Sequence, residues 1–218
     1  MSEAKKQDRT ELMRQIKDEV LNLKKSPLCK ERIKNKVHPV IGEGSHTAQI
    51  MFIGEAPGKN EALTGRPFCG ASGRILDELL EHISVNRKDV YVTNIVKDRP
   101  PQNRDPLPVE IEMYAPFLDR QILIIKPEVI ATLGRFSMEY VMKRYGLEHE
   151  VDGISKIRGK VFETDMDYGK VKVVPLYHPA VALYNGGEKE VLKKDIEVLK
   201  KIICESRTKP RSLRGYKI

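Results

Sequence analysis

Four short runs rich in β-branched residues alternate along the chain with longer stretches of helical periodicity. The runs are AQIMFI, DVYVTN, EVIATL and KVKVVPLY, and the helical patterns lie at ASGRILDELLEHI, at PVEIEMYAPFLDRQILII, after Gly134 and at KEVLKKDIEVLKKII. Strands that are separated by helices form a parallel sheet covered on both faces. We therefore expect an α/β fold, a three-layer α/β/α sandwich with a central, mainly parallel four-stranded sheet.

The length and composition of the chain point to one domain. A chain of 218 residues of which 40% are hydrophobic is long enough for one sizeable core and short for two. We therefore expect residues 1–205 to form a single domain. Residues 206–218 are basic and punctuated by Pro and Gly, which is typical of a flexible C-terminal tail.

The charge of the chain favours a polyanionic partner. Lys and Arg outnumber Asp and Glu by 39 to 31, which gives a formal net charge of +8. Nucleic acid is the leading candidate, and a basic protein without such a partner is the alternative. The N-terminal residues contain no apolar signal-peptide region, and no run approaches the roughly 18 apolar residues of a membrane span. We expect a cytoplasmic, nucleoid-associated protein with no membrane contact.

Unusual segments follow three of the predicted strands. GEAPG follows the first strand, Asn94 ends VYVTN, and His178 begins the HPA segment after VVPLY. Open α/β sheets bind ligands outside the carboxyl ends of their strands. We therefore expect these segments, although distant in sequence, to converge on one pocket.

The glycine-rich loop after the first strand matches neither common phosphate-binding motif. GEAPGKN is one residue too short for a P-loop and has Asn60 where the P-loop hydroxyl belongs, and no G-x-G-x-x-G follows the strand. A strand-to-helix turn would explain the glycines. Such a turn does not explain why the loop contains Glu55 and Glu61. These two carboxylates indicate that the loop forms the floor of a catalytic pocket.

Longer stretches of the chain resemble successive motifs of one enzyme family. They are GEAPGKNEALTGRPFCGASGRILDELL, VYVTNIVKDRPPQNRDPLPVEIE, VIATLGR and VVPLYHPAVALY. In order and spacing they are similar to motifs of the family-four uracil-DNA glycosylases, the thermostable iron–sulfur type, and the similarity runs over residues 20–203. The resemblance implies an α/β/α sandwich and a DNA repair glycosylase that hydrolyses the N-glycosidic bond of uracil in DNA. It also implies that the product is an abasic site and that no cofactor takes part in the chemistry.

The resemblance breaks down at the four cysteines that hold the iron–sulfur cluster of that family. The matching positions here are Leu23, Ser26, Asp98 and Tyr114. The three cysteines of the chain are widely spaced and include no C-x-x-C pair, so they give neither a disulfide framework nor a four-thiolate site. We therefore expect no iron–sulfur cluster, no other metal and no cofactor.

The resemblance also assigns the pocket residues. A uracil that leaves the DNA stack needs an aromatic face, a hydrogen-bonding edge and a donor for the charge on the departing base. Phe68 supplies the face, Asn94 the edge and His178 the donor. The alternative for Phe68 is ordinary core packing, and the alternative for Asn94 is a turn or helix cap. The alternative for His178 is a structural histidine at a strand end whose hydrogen bonds are satisfied. The other expected residues of the pocket are Gly54, Ala56 and Gly58 for uracil binding, and Glu55 and Glu61 as carboxylates beside the sugar and water, in an order left open.

The expected DNA contacts lie around this pocket. Helix N-termini and basic loops bind phosphates, and an apolar side chain fills the gap left by a flipped base. The expected DNA-binding residues are Ser72, Arg74, Arg99, Asn103, Arg104, Val181 and Leu183. The expected partner is DNA that contains uracil or another deaminated base, bound by a monomer, and a contact with a sliding clamp is left open.

Two other functions fit the same resemblance. One is excision of another deaminated base, hypoxanthine or xanthine, since the superfamily varies its pocket. The other is a relative that binds uracil or DNA without cleaving it. A branch that traps DNA covalently through an inserted histidine is excluded, because DRPPQNRDP contains neither a histidine nor the insert.

Overall fold

The structure, a computed structural model, describes residues 3–208 of the chain and the side chains of residues 8–205. The strands are β1 (Glu43–Gly44), β2 (Ile50–Gly54), β3 (Tyr91–Asn94), β4 (Val129–Leu133), β5 (Phe162–Met166) and β6 (Gly169–Leu176). The helices are α1 (Glu3–Leu21), α2 (Pro27–Lys34), α3 (Lys59–Thr64), α4 (Ala71–His82), α5 (Pro108–Ile125), α6 (Arg135–Arg144), α7 (Ile154–Ile157), α8 (Val181–Tyr184) and α9 (Glu188–Thr208).

One mixed sheet organises the fold. Its strands follow the order β1-β3-β2-β4-β6-β5. The four central strands β3, β2, β4 and β6 run parallel, with Gly54 opposite Asn94 and Leu133 opposite Leu176. These four strands are the predicted ones. Because they are parallel, their carboxyl ends meet at the same edge of the sheet.

The predicted number of strands is wrong, because the sheet of the described residues has six. The two additional strands, β1 and β5, pair antiparallel at its two edges. β1 is only two residues long and includes Gly44 at a φ of +122°, so it carries no strand pattern. β5, FETDM, alternates half-buried residues with exposed Glu163 and Asp165. An edge strand with one wet face tolerates such charges, whereas the prediction followed continuous apolar runs.

Helices cover both faces of the sheet. Successive side chains of a strand point to opposite faces. Met51 and Ile53 of β2 lie in the core beneath α1, α5 and α6, whereas Ile50 and Phe52 lie in the core beneath α4 and α9. Two hydrophobic layers therefore separate three structural layers, and the predicted α/β/α sandwich is confirmed.

The last helix extends beyond the predicted domain boundary. α9 ends at Thr208, three residues into the segment that the sequence assigns to the basic tail. Residues 209–218 lie outside the described residues, and the predicted tail stays a prediction. Among the helices that the structure describes, none combines the length and the apolar content that a membrane crossing requires.

Candidate active site

A cavity of about 470 Å³ opens at the carboxyl edge of the parallel strands. The chain enters it from β2 through the GEAPG loop, from β3 through Asn94 and from β6 through His178. Segments that are distant in sequence thus meet at one place, as the strand-end rule predicts. The predicted residues that line the cavity are Glu55, Ala56, Gly58, Glu61, Phe68, Ser72, Asn94, Asn103, Arg104 and His178.

Phe68 is held in an uncommon backbone conformation. Its φ of +48° lies in the left-handed region, which bulky residues rarely adopt. A side chain at Gly73 of α4 would clash with the Phe68 carbonyl group, so the helix approaches this turn as closely as only glycine allows. The Phe68 ring is 7% exposed, and its centroid lies 5.6 Å from that of the His178 ring. The turn therefore presents a fixed aromatic face beside the histidine.

Asn94 ends β3 and is 2% exposed. A side chain at Gly54, which is paired with Asn94 across the strands, would clash with Asn94 Oδ1 and with the Phe68 ring. Gly54 does not itself line the cavity. Its contribution is the lack of a side chain, because this allows the amide and the ring to approach one another.

His178 is a neutral hydrogen-bond donor. The backbone N–H of Ala180 donates to His178 Nδ1 at 3.2 Å, so the imidazole carries its proton on Nε2. Burial lowers the pKa of His178 to about 4, and the nearby Glu61 carboxylate opposes this shift only in part. At neutral pH the ring is therefore uncharged, with an Nε2–H group available for donation.

The two carboxylates of the opening loop have different surroundings. Burial, together with the charge of Asp105, raises the pKa of Glu55 to about 7, and Arg135 opposes this shift. Glu61 Oε1 accepts the backbone N–H groups of Cys69 and Gly70 at 3.1 and 3.0 Å. Glu61 therefore ties α3 to the turn that carries Phe68, and Glu55 is the carboxyl group whose proton affinity is tuned to neutral pH.

Of the predicted basic contacts, Arg104 lines the cavity, whereas Arg74 and Arg99 do not. Arg99 Nε donates to Asn103 Oδ1 at 2.6 Å, which orders the loop after β3. Arg104 binds Glu110 through two hydrogen bonds of 2.6 and 2.8 Å, so its charge is already paired. Arg74 is exposed on α4 and does not line the cavity.

The predicted intercalating segment is the short helix α8. Val181 is half-buried and packs against the core, so it is poorly placed to enter DNA. Leu183 is 45% exposed, and Tyr184, which the sequence analysis did not assign, is 89% exposed. The exposed apolar surface of this helix therefore comes from Leu183 and Tyr184, and a DNA contact by Val181 stays a prediction.

Sequence reasoning also missed two charged residues that act on Glu55. Asp105 lines the cavity, and Arg135 begins α6 directly after Gly134 at the end of β4. The strand-end rule that identified Asn94 and His178 would have identified Arg135 as well. Asp105 lies in an irregular loop, and no local pattern in the sequence predicts where it points.

Of the four positions expected to replace the cluster cysteines, Ser26, Asp98 and Tyr114 are buried polar residues, whereas Leu23 is apolar and half-buried. Asp98 is fully buried, accepts a hydrogen bond of 2.6 Å from the Tyr114 hydroxyl, and pairs with Arg32. Arg32 Nε and Asp98 Oδ1 lie 2.9 Å apart, although neither atom has a well-aligned hydrogen bond among the described residues. The Ser26 hydroxyl caps α2, and Leu23 packs against the core.

This donor set does not fit an iron–sulfur cluster, which needs thiolate ligands. The Asp98 carboxylate is already shared between a phenol and a guanidinium group. In the part of the chain that the structure describes, no group of three or more His, Cys, Asp or Glu side chains is arranged to hold a metal ion.

Known relatives match the region that contains the whole cavity. The profile of the uracil DNA glycosylase superfamily matches residues 41–201. The type-4 uracil-DNA glycosylase of Saccharolobus solfataricus is 44% identical over 202 residues, which cover 92% of this chain and 89% of that protein. The type-4 uracil-DNA glycosylase of Sulfurisphaera tokodaii is 42% identical over 191 residues, which cover 87% of this chain and 84% of that protein.

Proposed function

The chain belongs to the type-4 group of the uracil-DNA glycosylase superfamily, and from this membership we propose that it hydrolyses the N-glycosidic bond of uracil in DNA and leaves an abasic site. One observation carries the proposal: an aromatic ring, a buried amide and a neutral imidazole surround a single cavity of about 470 Å³. A flipped uracil requires an aromatic ring against its face, a hydrogen-bonding group at its edge and a donor to the negative charge that develops as it leaves.

Phe68 and Asn94 read the base. The Phe68 ring stacks on the flipped pyrimidine, and its left-handed backbone keeps the ring in place before the base arrives. The Asn94 amide offers one donor and one acceptor, which match O4 and N3–H of uracil. Cytosine presents a donor and an acceptor in the reverse order, so the same amide disfavours it.

Glu55 and His178 act on opposite ends of the bond that breaks. Water attacks C1′ of the sugar while the C1′–N1 bond breaks, and the bonding electron pair leaves with the uracil ring. His178 Nε2–H donates to uracil O2 and stabilises the anion without transferring its proton. The Glu55 carboxylate stabilises the sugar cation and accepts the proton of the attacking water. Glu61 holds the Phe68 turn and acts as a positioning residue.

The surrounding residues hold the DNA. Ser72 in the first turn of α4, Arg74 and the Arg99–Asn103 pair contact phosphates around the flipped nucleotide. Leu183 fills the gap in the base stack. We propose that the active form is a monomer, and sedimentation of the free protein tests this.

We also propose that the protein holds no iron–sulfur cluster. The support is the donor set at the four cysteine positions, in which Asp98 is bonded to Tyr114 and paired with Arg32. Protein purified without oxygen should be colourless and free of stoichiometric iron. A visible charge-transfer band with about four irons per chain would overturn this proposal.

The function is tested with oligonucleotides that carry uracil, hypoxanthine, xanthine or cytosine at one position, as single strands and as duplexes. We expect cleavage at uracil, and we expect Asn94→Asp to lose most of it, because a carboxylate cannot donate to O4. The exposed Asn22→Asp is the matched control and should behave like the parent. Excision of hypoxanthine or xanthine without uracil would replace the proposed substrate, and binding without cleavage of any base would overturn the hydrolytic function.

A further inference from the structure

Lys97 is a fully buried lysine close to the base pocket. Its Nζ atom lies 2.6 Å from the main-chain oxygen of Asn94, 2.6 Å from Gln121 Oε1 and 2.8 Å from Thr93 Oγ1. None of these three oxygen atoms is charged. The nearby Asn94 belongs to the cavity, but Lys97 itself does not line it, and the mechanism above gives it no role.

The hydrogen bonds around Lys97 require an ammonium group. Thr93 donates its single hydroxyl proton to the Ile41 carbonyl at 2.7 Å, so its oxygen must accept from Lys97. Gln121 Nε2 donates to the same Ile41 carbonyl at 2.9 Å, which turns Oε1 toward Lys97. The Asn94 carbonyl can only accept. Three acceptors require three N–H groups, which only the charged form of lysine has.

Burial of a charged ammonium group is energetically unfavourable. Burial lowers the pKa of Lys97 well below the usual lysine value. Hydrogen bonds to the ammonium form act in the opposite direction. An apolar residue would fill this position without burying a charge. The function of Lys97 therefore lies in what its three donors hold in place.

The donors hold the turn after β3, which is hydrogen-bonded to the start of the loop that carries Glu55. The Lys97 side chain folds back onto the carbonyl of Asn94, three residues earlier. Within the same turn, Ile95 N–H donates to the Gly54 carbonyl and Val96 N–H donates to the Glu55 carbonyl, both at 3.0 Å. The end of β3 and the start of the Glu55 loop are thus fixed to one another beside Lys97.

We propose that Lys97 is a positioning residue of the base pocket, whose buried ammonium group fixes the strand end from which Asn94 reads the base. The inference rests on the proposed function, because it assigns Lys97 a role in recognising uracil. Lys97 touches neither the base nor the reacting atoms. It acts through the main chain of Asn94.

Lys97→Met is the direct test, since methionine keeps much of the length and the apolar stem but removes the three donors. Single-turnover cleavage of uracil-containing duplex DNA should fall about a hundredfold, the typical effect of displacing an active-site group by about 1 Å. Binding of free uracil, measured by calorimetry, should weaken in parallel. Affinity for undamaged duplex DNA should stay within about twofold, because phosphate contacts carry it.

A pair of isosteric variants separates positioning from general stability. Thr93→Val removes one acceptor and leaves one buried N–H group of Lys97 unpaired, so it should weaken cleavage and uracil binding in the same direction but less. Thr132→Val makes the same change in the neighbouring part of the sheet, at a buried hydroxyl with no hydrogen-bond partner among the described residues. Thr132→Val should match the parent in both measurements.

Parental cleavage and uracil binding in folded Lys97→Met would overturn the inference, and Thr93→Val decides it if Lys97→Met does not fold. Equal losses in Thr93→Val and Thr132→Val would also overturn it, because they would reflect a general loosening of the sheet. A parent protein that does not cleave uracil-containing DNA would instead overturn the proposed function. In that case the binding of free uracil to the variants still tests Lys97.

Discussion

Burial acts in opposite directions on the two titratable residues that face each other across the proposed reaction. It raises the pKa of Glu55 to about 7 and lowers that of His178 to about 4. Above a pH of about 7, the carboxyl group is ionised and the imidazole is neutral. Both residues are then in the form that the proposed mechanism requires, although neither would be tuned in this way on an exposed surface.

This tuning predicts the pH dependence of cleavage. The single-turnover rate should rise as the pH increases through about 7, because the Glu55 carboxyl group loses its proton in this range. Glu55→Gln should remove that rise and lower the rate at pH 8 by about a hundredfold to ten-thousandfold, the usual contribution of a general base. Glu61→Gln is the comparison variant, and it should keep the pH dependence. A parental pH profile in Glu55→Gln would assign the base to another residue.

Removal of the His178 imidazole should slow the chemistry rather than weaken DNA binding. Losing one preorganised donor to a developing anion typically slows the reaction by about a hundredfold to a thousandfold. His178→Ala should show this loss in single-turnover cleavage, with duplex affinity nearly unchanged. His149→Ala, at a histidine that is 91% exposed, serves as the control. Parental cleavage by His178→Ala would mean that the uracil anion is stabilised by the GEAPG backbone instead.

We expect the short helix α8 to distinguish duplex from single-stranded DNA. A base that is flipped out of a duplex leaves a gap, and an apolar side chain that fills it offsets the lost stacking. Leu183→Ala and Tyr184→Ala should therefore slow cleavage of duplex DNA and leave cleavage of single strands unchanged. Val181→Ala is the structural control, since Val181 packs against the core and its loss should lower the melting temperature instead. Equal losses on both substrates would remove α8 from base flipping.

At the scale of elements, the sequence predicted the features that follow from hydrophobic patterning and from the positions of the strand ends. The four buried strands are continuous apolar runs, and the parallel sheet brings Asn94 and His178 to one edge. β5 escaped the prediction because the prediction followed continuous apolar runs, and Glu163 and Asp165 interrupt any such run in this strand. The left-handed conformation of Phe68 and the buried Lys97 depend on contacts between distant segments, and no pattern within one segment reveals such contacts.

At the scale of the whole molecule, the net charge of +8 predicts binding that depends on salt. Each phosphate contact releases counterions, so its loss reduces the slope of log affinity against log salt concentration by about one. Arg74→Ala, on the exposed side of α4, should reduce this slope. Lys170→Ala removes the same charge near the start of β6, at the opposite edge of the sheet, and should change it little. Equal slopes for both variants and the parent would place the phosphates away from Arg74.

The resemblance led us to expect substitutions at four cysteine positions, but it did not show how Asp98 and Tyr114 are joined in the folded chain. Arg32 lies in α2 and is remote from Asp98 and Tyr114 in sequence, so only the folded chain shows that its guanidinium group enters the site. The sequence therefore predicted Asp98 and Tyr114 at this place. It did not predict Arg32, which pairs with Asp98.

The buried contact between Arg32 and Asp98 also bears on the order in which the molecule comes apart on heating. The penalty for removing charged groups from water falls as temperature rises, whereas hydrophobic stabilisation levels off. The contact between Arg32 and Asp98, which joins α2 to the loop after β3, should therefore weaken at a higher temperature than the contacts of α9 with the sheet. Hydrogen exchange measured at increasing temperature should show protection lost first in α9 and last around Asp98 and Tyr114. The DNA-facing edge of the protein would then keep its shape in a molecule that has already begun to melt elsewhere.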